Sequence, residues 1–159
     1  MDKAEYMFNI QTFRPDPLLR KVVSRYLLVN VDLESACGEF CFLPKVNQQI
    51  SFNLGTGNSI YDPDNREYIA NCNLIGQYNR ICRLTVFDGM NRMIVTLPPL
   101  GWSPFFGIPA QCFLNRNTDL QPVLGSEILD LQRHLQISLD IKKQIMLLDS
   151  FFLDRLFSP

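Results

Sequence analysis

Histidine is almost absent from this sequence: His134 is the only one in 159 residues. That rules out the clustered imidazoles of a catalytic metal barrel. It also leaves a Ser–His or Cys–His device a single base to use, with no local motif around it. Basic clusters are missing as well. Fifteen Lys and Arg against sixteen Asp and Glu give a net charge of −1, and no five basic residues gather anywhere. Phosphate contacts dominate nucleic-acid affinity and need such a face. The chain is therefore not expected to bind DNA or RNA itself. The polar start Met1-Asp2-Lys3-Ala4-Glu5 is followed by no run of about 18 apolar residues, so neither a leader nor a membrane span is expected. Five cysteines is an odd number. Without a leader they read as free thiols in a reducing cytoplasm.

The remaining chemical motifs are fragments. Cys37 and Cys41 could form half a zinc site, but Cys72, Cys82 and Cys112 are isolated and offer no second pair. Asp62-Pro63-Asp64-Asn65 resembles the start of a calcium loop, then fails where Glu67 stands in place of the required glycine and Asn73 in place of the closing acid. It reads as a surface turn. Gly55-Thr56-Gly57 lacks the further glycine and the helix of a phosphate cradle. No catalytic residue, no metal and no cofactor is expected.

What is present is apolar: 47 % of the residues, with twelve phenylalanines. The stretch Phe42 to Gly57 is the clearest strand. Ile50, Phe52 and Leu54 alternate with Ser51 and Asn53, the period of a half-buried strand, and Gly55 and Gly57 end it. Residues 1–13 read as an edge strand or arm. Asp16 and Pro17 look like the cap and first residue of a short helix. Further strands are expected at Tyr26–Leu33, 39–44, 46–54, 67–76, 81–87 and 90–97. Asp88-Gly89 predicts a hairpin between the last two. Seven or so short strands with regular turn signals indicate a barrel or sandwich. Pro98-Pro99 ends this part, since neither residue can donate to a ladder.

Helical periodicity follows. Ser103-Pro104 starts a short turn, and Pro109 to Leu114 forms another. A helix begins at Ser126 with Ile128, Leu131 and Leu135 on one face. A last helix begins at Ser138 and carries a stripe of Ile141, Ile145, Leu148, Phe152 and Leu156. Met146, Leu147, Phe151 and Leu153 widen that stripe, so the helix needs its own barrel and a second partner. Ile141, Ile145, Leu148, Phe152 and Leu156 are the candidate pairing residues. An apolar ligand pocket with a few polar groups is also open. Phe42, Phe52, Tyr78, Phe87 and Trp102 are its candidate aromatics, and Gln48 and Gln49 its candidate polar handles.

Several stretches together resemble one family. Phe13-Arg14-Pro15-Asp16-Pro17-Leu18 with Val22-Val23 and Tyr26 is similar to the opening of the N-terminal domain of AraC/XylS-type bacterial transcription regulators. Phe42-Leu43-Pro44 with Ile50-Ser51-Phe52-Asn53-Leu54-Gly55 resembles its signature strand, and Leu74-Ile75-Gly76-Gln77 the next. Phe106-Gly107-Ile108-Pro109-Ala110 resembles the turn after its barrel. Leu124-Gly125 with Glu127, Ile128 and Leu131, and the closing Phe151 to Leu156, resemble its terminal helices. Thr96 to Trp102 departs from the pattern, which has a basic residue, Pro and two Gly there. The resemblance implies an α+β chain: a cupin-like or jelly-roll β-barrel over residues 1–100, then a helical annex over 101–159 that serves dimerisation. It implies a homodimer and a small-molecule effector. DNA would be read only by a C-terminal helix-turn-helix domain absent from this chain. The alternatives are a stand-alone cupin-like binding protein and, behind it, a metal-free barrel enzyme.

Overall fold

The computed structural model describes residues 8–158. Among them are ten strands: β1 (Phe8–Phe13), β2 (Arg25–Val31), β3 (Cys37–Phe42), β4 (Gln48–Asn53), β5 (Ile60–Asp62), β6 (Glu67–Tyr68), β7 (Cys72–Ile75), β8 (Cys82–Phe87), β9 (Asn91–Leu97) and β10 (Asn117–Asp119). Helix α1 (Ser103–Phe106) precedes β10, and α2 (Gln121–Leu124), α3 (Ser126–Ile137) and α4 (Ile141–Phe157) follow it. The chain is mainly β with C-terminal helices, as its periodicities predict. The edge strand expected within residues 1–13 is β1; residues 1–7 and Pro159 lie outside the described residues. Residues 67–76, read as one strand, form β6 and β7 in two different sheets.

The strands form two antiparallel sheets. The larger has the order β1-β2-β9-β4-β7-β10, the smaller β3-β8-β5-β6. Leu27, Val29 and Val31 of β2 pack with Val86 of β8, Phe40 of β3 and Ile60 of β5 between the sheets. On its other face the larger sheet meets the helices. There Ile50, Phe52, Leu74, Met93 and Val95 join Phe105, Ile128, Leu131, Leu148 and Phe152 in one cluster. The result is three layers, small sheet, large sheet and helices, with the large sheet covered on both sides.

Asp88-Gly89 does turn, with Gly89 at φ 81, but it does not make the predicted hairpin. β8 belongs to the smaller sheet and β9 to the larger. A turn signal fixes the local bend and not the partner of the outgoing strand. Here Asp88 Oδ1 accepts from Leu33 N at 2.9 Å and Gly89 N donates to Val31 O at 3.1 Å. Those bonds tie the corner to the end of β2 and pass the chain across.

The helical layer is held by polar contacts as well as by apolar area. Asp16 caps the short turn Pro17–Leu19 by accepting from Leu18 N. Its own N–H donates to Asp149 of α4 at 3.1 Å, and the Tyr26 hydroxyl donates to the same carboxylate oxygen at 2.7 Å. Gln132 of α3 donates to Asn53 O and Gln136 to Gly55 O, both at 2.7 Å. Arg155 of α4 pairs with Glu127 of α3 at 2.6 Å. The cap of α4 is Asp140, which accepts from Lys142 N, and not Ser138. Both are good cap residues, but Ser138 closes α3 as its C-cap, its N–H donating to His134 O at 3.2 Å and its carbonyl accepting from Gln144 Nε2 at 2.8 Å. Tyr26→Phe removes a bond to a charged acceptor, which is worth about 1.5–3 kcal/mol. A fall of that size in denaturant unfolding is expected, and a change under about 0.5 kcal/mol, the scatter of a neutral surface substitution, would show that Tyr26 does not hold α4.

The stripe of α4 points inward. Leu148 and Phe152 are fully buried, and Ile141, Ile145 and Leu156 pack at the edge of the same cluster. Phe152 stacks edge-on against Phe105 of α1, with centroids 5.0 Å apart. The outer face of α4 is Lys142, Lys143, Met146, Ser150 and Asp154. The helical period identified a buried face correctly as a face, but one chain's own core consumes its centre. Among the described residues no helix is long and apolar enough to cross a membrane.

Candidate functional site

The two faces of β4 are unlike, and the site follows from that. Even-numbered residues Gln48, Ile50 and Phe52 turn toward the helices. Odd-numbered Gln49 and Ser51 turn toward the smaller sheet, where a cavity of about 270 Å³ lies between the layers. Its walls are apolar: Leu27 and Val29 from β2, Ile94 from β9, Ile75 from β7, and Leu84 and Val86 from β8. Phe8 and Ile10 of β1, with Phe42 at the end of β3, complete it. Ile10 and Phe42 are also exposed to solvent, which places the mouth near them.

Of the candidate binding residues, Phe42, Gln49 and Tyr78 line this cavity; Gln48, Phe52 and Trp102 lie on the helix side. Phe52 is fully buried in the helix-side cluster, and so is Trp102, whose ring meets Phe106 and Phe113. The reason is parity: Gln48 and Phe52 share the face of Ile50, so none of them can reach the space beside Gln49 and Ser51. Gln48 Oε1 and Nε2 and Trp102 Nε1 are buried without a protein hydrogen-bond partner.

Two cavity residues went unnoticed in the sequence, Lys45 and Arg92. Lys45 is fixed by a β-bridge to Tyr78, with N···O distances of 2.9 and 3.0 Å. Its Nζ donates to Gln49 Oε1 at 2.6 Å, and Gln49 Nε2 donates to Thr96 Oγ1 at 3.4 Å. Burial holds the Lys45 ammonium below its ordinary range. Arg92 is 1 % exposed, on β9 directly across from Asn53. Nη1 donates to Ser51 Oγ at 3.0 Å and Nη2 to Ala70 O at 3.1 Å, while Nε has no acceptor. Burial pushes its guanidinium down to about 10, which still leaves it charged at neutral pH. A signal was available: Arg92 has the parity of Ile94 and adjoins the apolar run Met93–Val95.

The rest of the polar lining is neutral. Tyr78 Oη accepts from Asn117 Nδ2 at 3.1 Å. Burial pushes both the Tyr78 hydroxyl and the Cys82 thiol up, so Cys82 is a thiol and not an activated thiolate. The described lining contains no Asp, Glu or His. His134 is on the exposed side of α3, away from it. Among the described residues no three His, Cys, Asp or Glu side chains come together as a metal site requires. The arrangement can enclose an apolar molecule and offer it cationic donors.

A family model described as "Domain of unknown function (DUF6597)" matches residues 11–119, a span that takes in β2 to β10 and the second half of β1. No curated protein and no solved structure matches the chain.

Proposed function

We propose, from the premise that this chain belongs to the DUF6597 family, that it is a small-molecule sensor domain that pairs with a second copy of itself. In this reading it is the regulatory half of an AraC-type transcription regulator, with a cupin-like β part and with DNA read by a helix-turn-helix domain carried outside this chain. The sensing part rests on one observation above all: an apolar cavity between the sheets, open near Ile10 and Phe42 and carrying a few polar groups, the usual build of a small-molecule site. The regulatory part rests on the order of the sequence motifs from Phe13 to Leu156. Regulation requires a ligand that binds one arrangement of sheet and helices better than another. β4 supplies a link, since its Ser51 side faces the cavity and its Asn53 carbonyl holds α3.

Pairing through α4 must use its outer face and the corner before it, because Leu148 and Phe152 are occupied internally. Met146 is 67 % exposed, Ile137 75 % and Leu139 99 %. Sedimentation equilibrium at high protein concentration is expected to give a dimer. Met146→Asp is expected to weaken it at least about ten-fold, roughly 1.4 kcal/mol, with thermal stability unchanged. A strict monomer ends the pairing claim. A folded chimera with a DNA reader that needs dimerisation tests the regulatory claim. Failure of that chimera to hold its operator would favour a stand-alone binding protein with the same cavity.

A further inference from the structure

We infer that the cavity between the sheets takes a small apolar molecule bearing a carboxylate, with the acid group held by Arg92 and Lys45 and the hydrocarbon part against Leu27, Val29 and Ile94. This rests on reading the cavity as a binding site and names what that site selects.

A buried guanidinium is normally paired, because taking an ion out of water costs several kcal/mol unless an opposite charge or a full set of hydrogen bonds replaces the solvent. Arg92 has neither. It makes hydrogen bonds to one hydroxyl and one carbonyl, both neutral, and its buried Nε–H has no acceptor. Its five donors are arranged to grip a planar carboxylate. Among the described residues the ion pairs are Arg133–Asp130 and Arg155–Glu127, and neither is near the cavity. Asp62, the buried acid whose charge is felt at Tyr78 and Cys82, accepts from Asp64 N, Asn65 N and Asn65 Nδ2 in its own turn.

Lys45 brings a second cation to the same wall. It is held on Gln49, and Arg92 is held on Ser51. Those two anchors are two residues apart on one face of β4, roughly 6.6 Å at about 3.3 Å per residue. A single carboxylate between them can accept hydrogen bonds from both and offsets one of the two charges. Beyond the heads the walls are Leu, Val and Ile, which reject a second charge on the ligand and favour a hydrocarbon tail. Ile10 and Phe42 at the mouth continue the apolar surface outward, so a tail can extend along them.

The test compares each acid with its neutral isostere: octanoate with octanamide, and phenylacetate with phenylacetamide. Methyl chemical shifts of Leu27, Val29 and Ile94 locate binding, and titration gives Kd. The expected result is at least ten-fold tighter binding of the acid in each pair, with the shifts centred on those methyls. Arg92→Met keeps the bulk and removes the charge; it is expected to remain folded, because burying an unpaired ion is itself costly, and to abolish the preference for the acid. Lys45→Met is expected to reduce the preference several-fold. If acid and amide bind the cavity equally, the carboxylate inference falls while the binding site stands. If the preference survives in both variants, the acid is held elsewhere and the inference falls. If no probe perturbs the cavity methyls, both readings fall together. A Kd measured with octanoate on the thermally intact Lys45→Met chain keeps the decision open to refutation even if Arg92→Met does not fold.

Discussion

Phe152→Ala is expected to remove about 3–5 kcal/mol of folding stability, the usual cost of a large aromatic truncated in a packed core. The side chain has no solvent exposure and lies at the junction of three elements. It meets Phe105 of α1 at 5.0 Å and its own neighbour Phe151 at 5.3 Å, both edge-on, and it is part of the cluster that includes Ile50 and Phe52 of β4. Each of these partners is fixed in its own helix or strand, so the space left cannot be refilled without moving an element. A domain's total stability is only about 5–15 kcal/mol, and at roughly 2–4 °C per kcal/mol in this size range the midpoint should fall by about 6–20 °C. Phe157→Ala is the control: five residues on, 66 % exposed, and expected within about 0.5 kcal/mol of the parent. Thermal denaturation of the pair decides between two roles for the stripe. If Phe152→Ala kept its melting point and lost only self-association, the stripe would be a pairing face and its burial against β4 would be refuted.

Gly76→Ala is the second large effect, and it acts through backbone. A Cβ at this position would lie 1.8 Å from the Phe113 carbonyl oxygen and 2.7 Å from its carbon. No rotamer relieves a clash with a main chain. The segment it would strike is clamped from both sides, by Gly76 N donating to Arg116 O at 3.0 Å and Asn115 N donating to Gln77 O at 2.8 Å. The added methyl must therefore break those bonds or push β10 off β7, at the upper end of the about 1–3 kcal/mol that overpacking usually costs, or above it. Gly55→Ala is the matched comparison. Its Cβ would meet nothing closer than 3.6 Å, so it should be neutral, or slightly stabilising by limiting the unfolded chain. Equal unfolding midpoints in urea for the two variants would mean that the crossing at Gly76 is not tight.

These two glycines illustrate what the sequence discloses and what it withholds. Both read simply as strand ends. That Gly76 is a crossing point depends on β10, a three-residue strand whose Asn-Thr-Asp carries no strand signal. Its position is set by β7, to which it pairs from Asn117 to Asp119. The longer elements were legible because periodicity and caps are local: α3 begins at Ser126 as its pattern predicts, and β4 and β9 fall within the expected spans. The candidate site was legible only by half. Alternation separates Phe52 from Ser51, but it does not say which side faces a cavity. In a two-layer protein the polar side would face water, and Phe52 would line the interior. Here a third layer takes the apolar side, and the polar side becomes the floor of the cavity. Arg92 and Lys45 were missed for the same reason, since a lone cation in a strand reads as solvated until something covers it.

That inverted strand has a mechanical consequence. Ser51, on the cavity floor, is two residues from Asn53 and four from Gly55, and the carbonyls of those two carry the Gln132 and Gln136 side chains of α3. A shift of the floor would reach two hydrogen bonds of one helix through the five residues Ser51–Gly55, the end of β4 and the bend after it. The helix in turn carries Glu127, to which Arg155 near the end of α4 is bound. One strand thereby ties the cavity floor to the helical layer, with the two glutamine side chains as the joints.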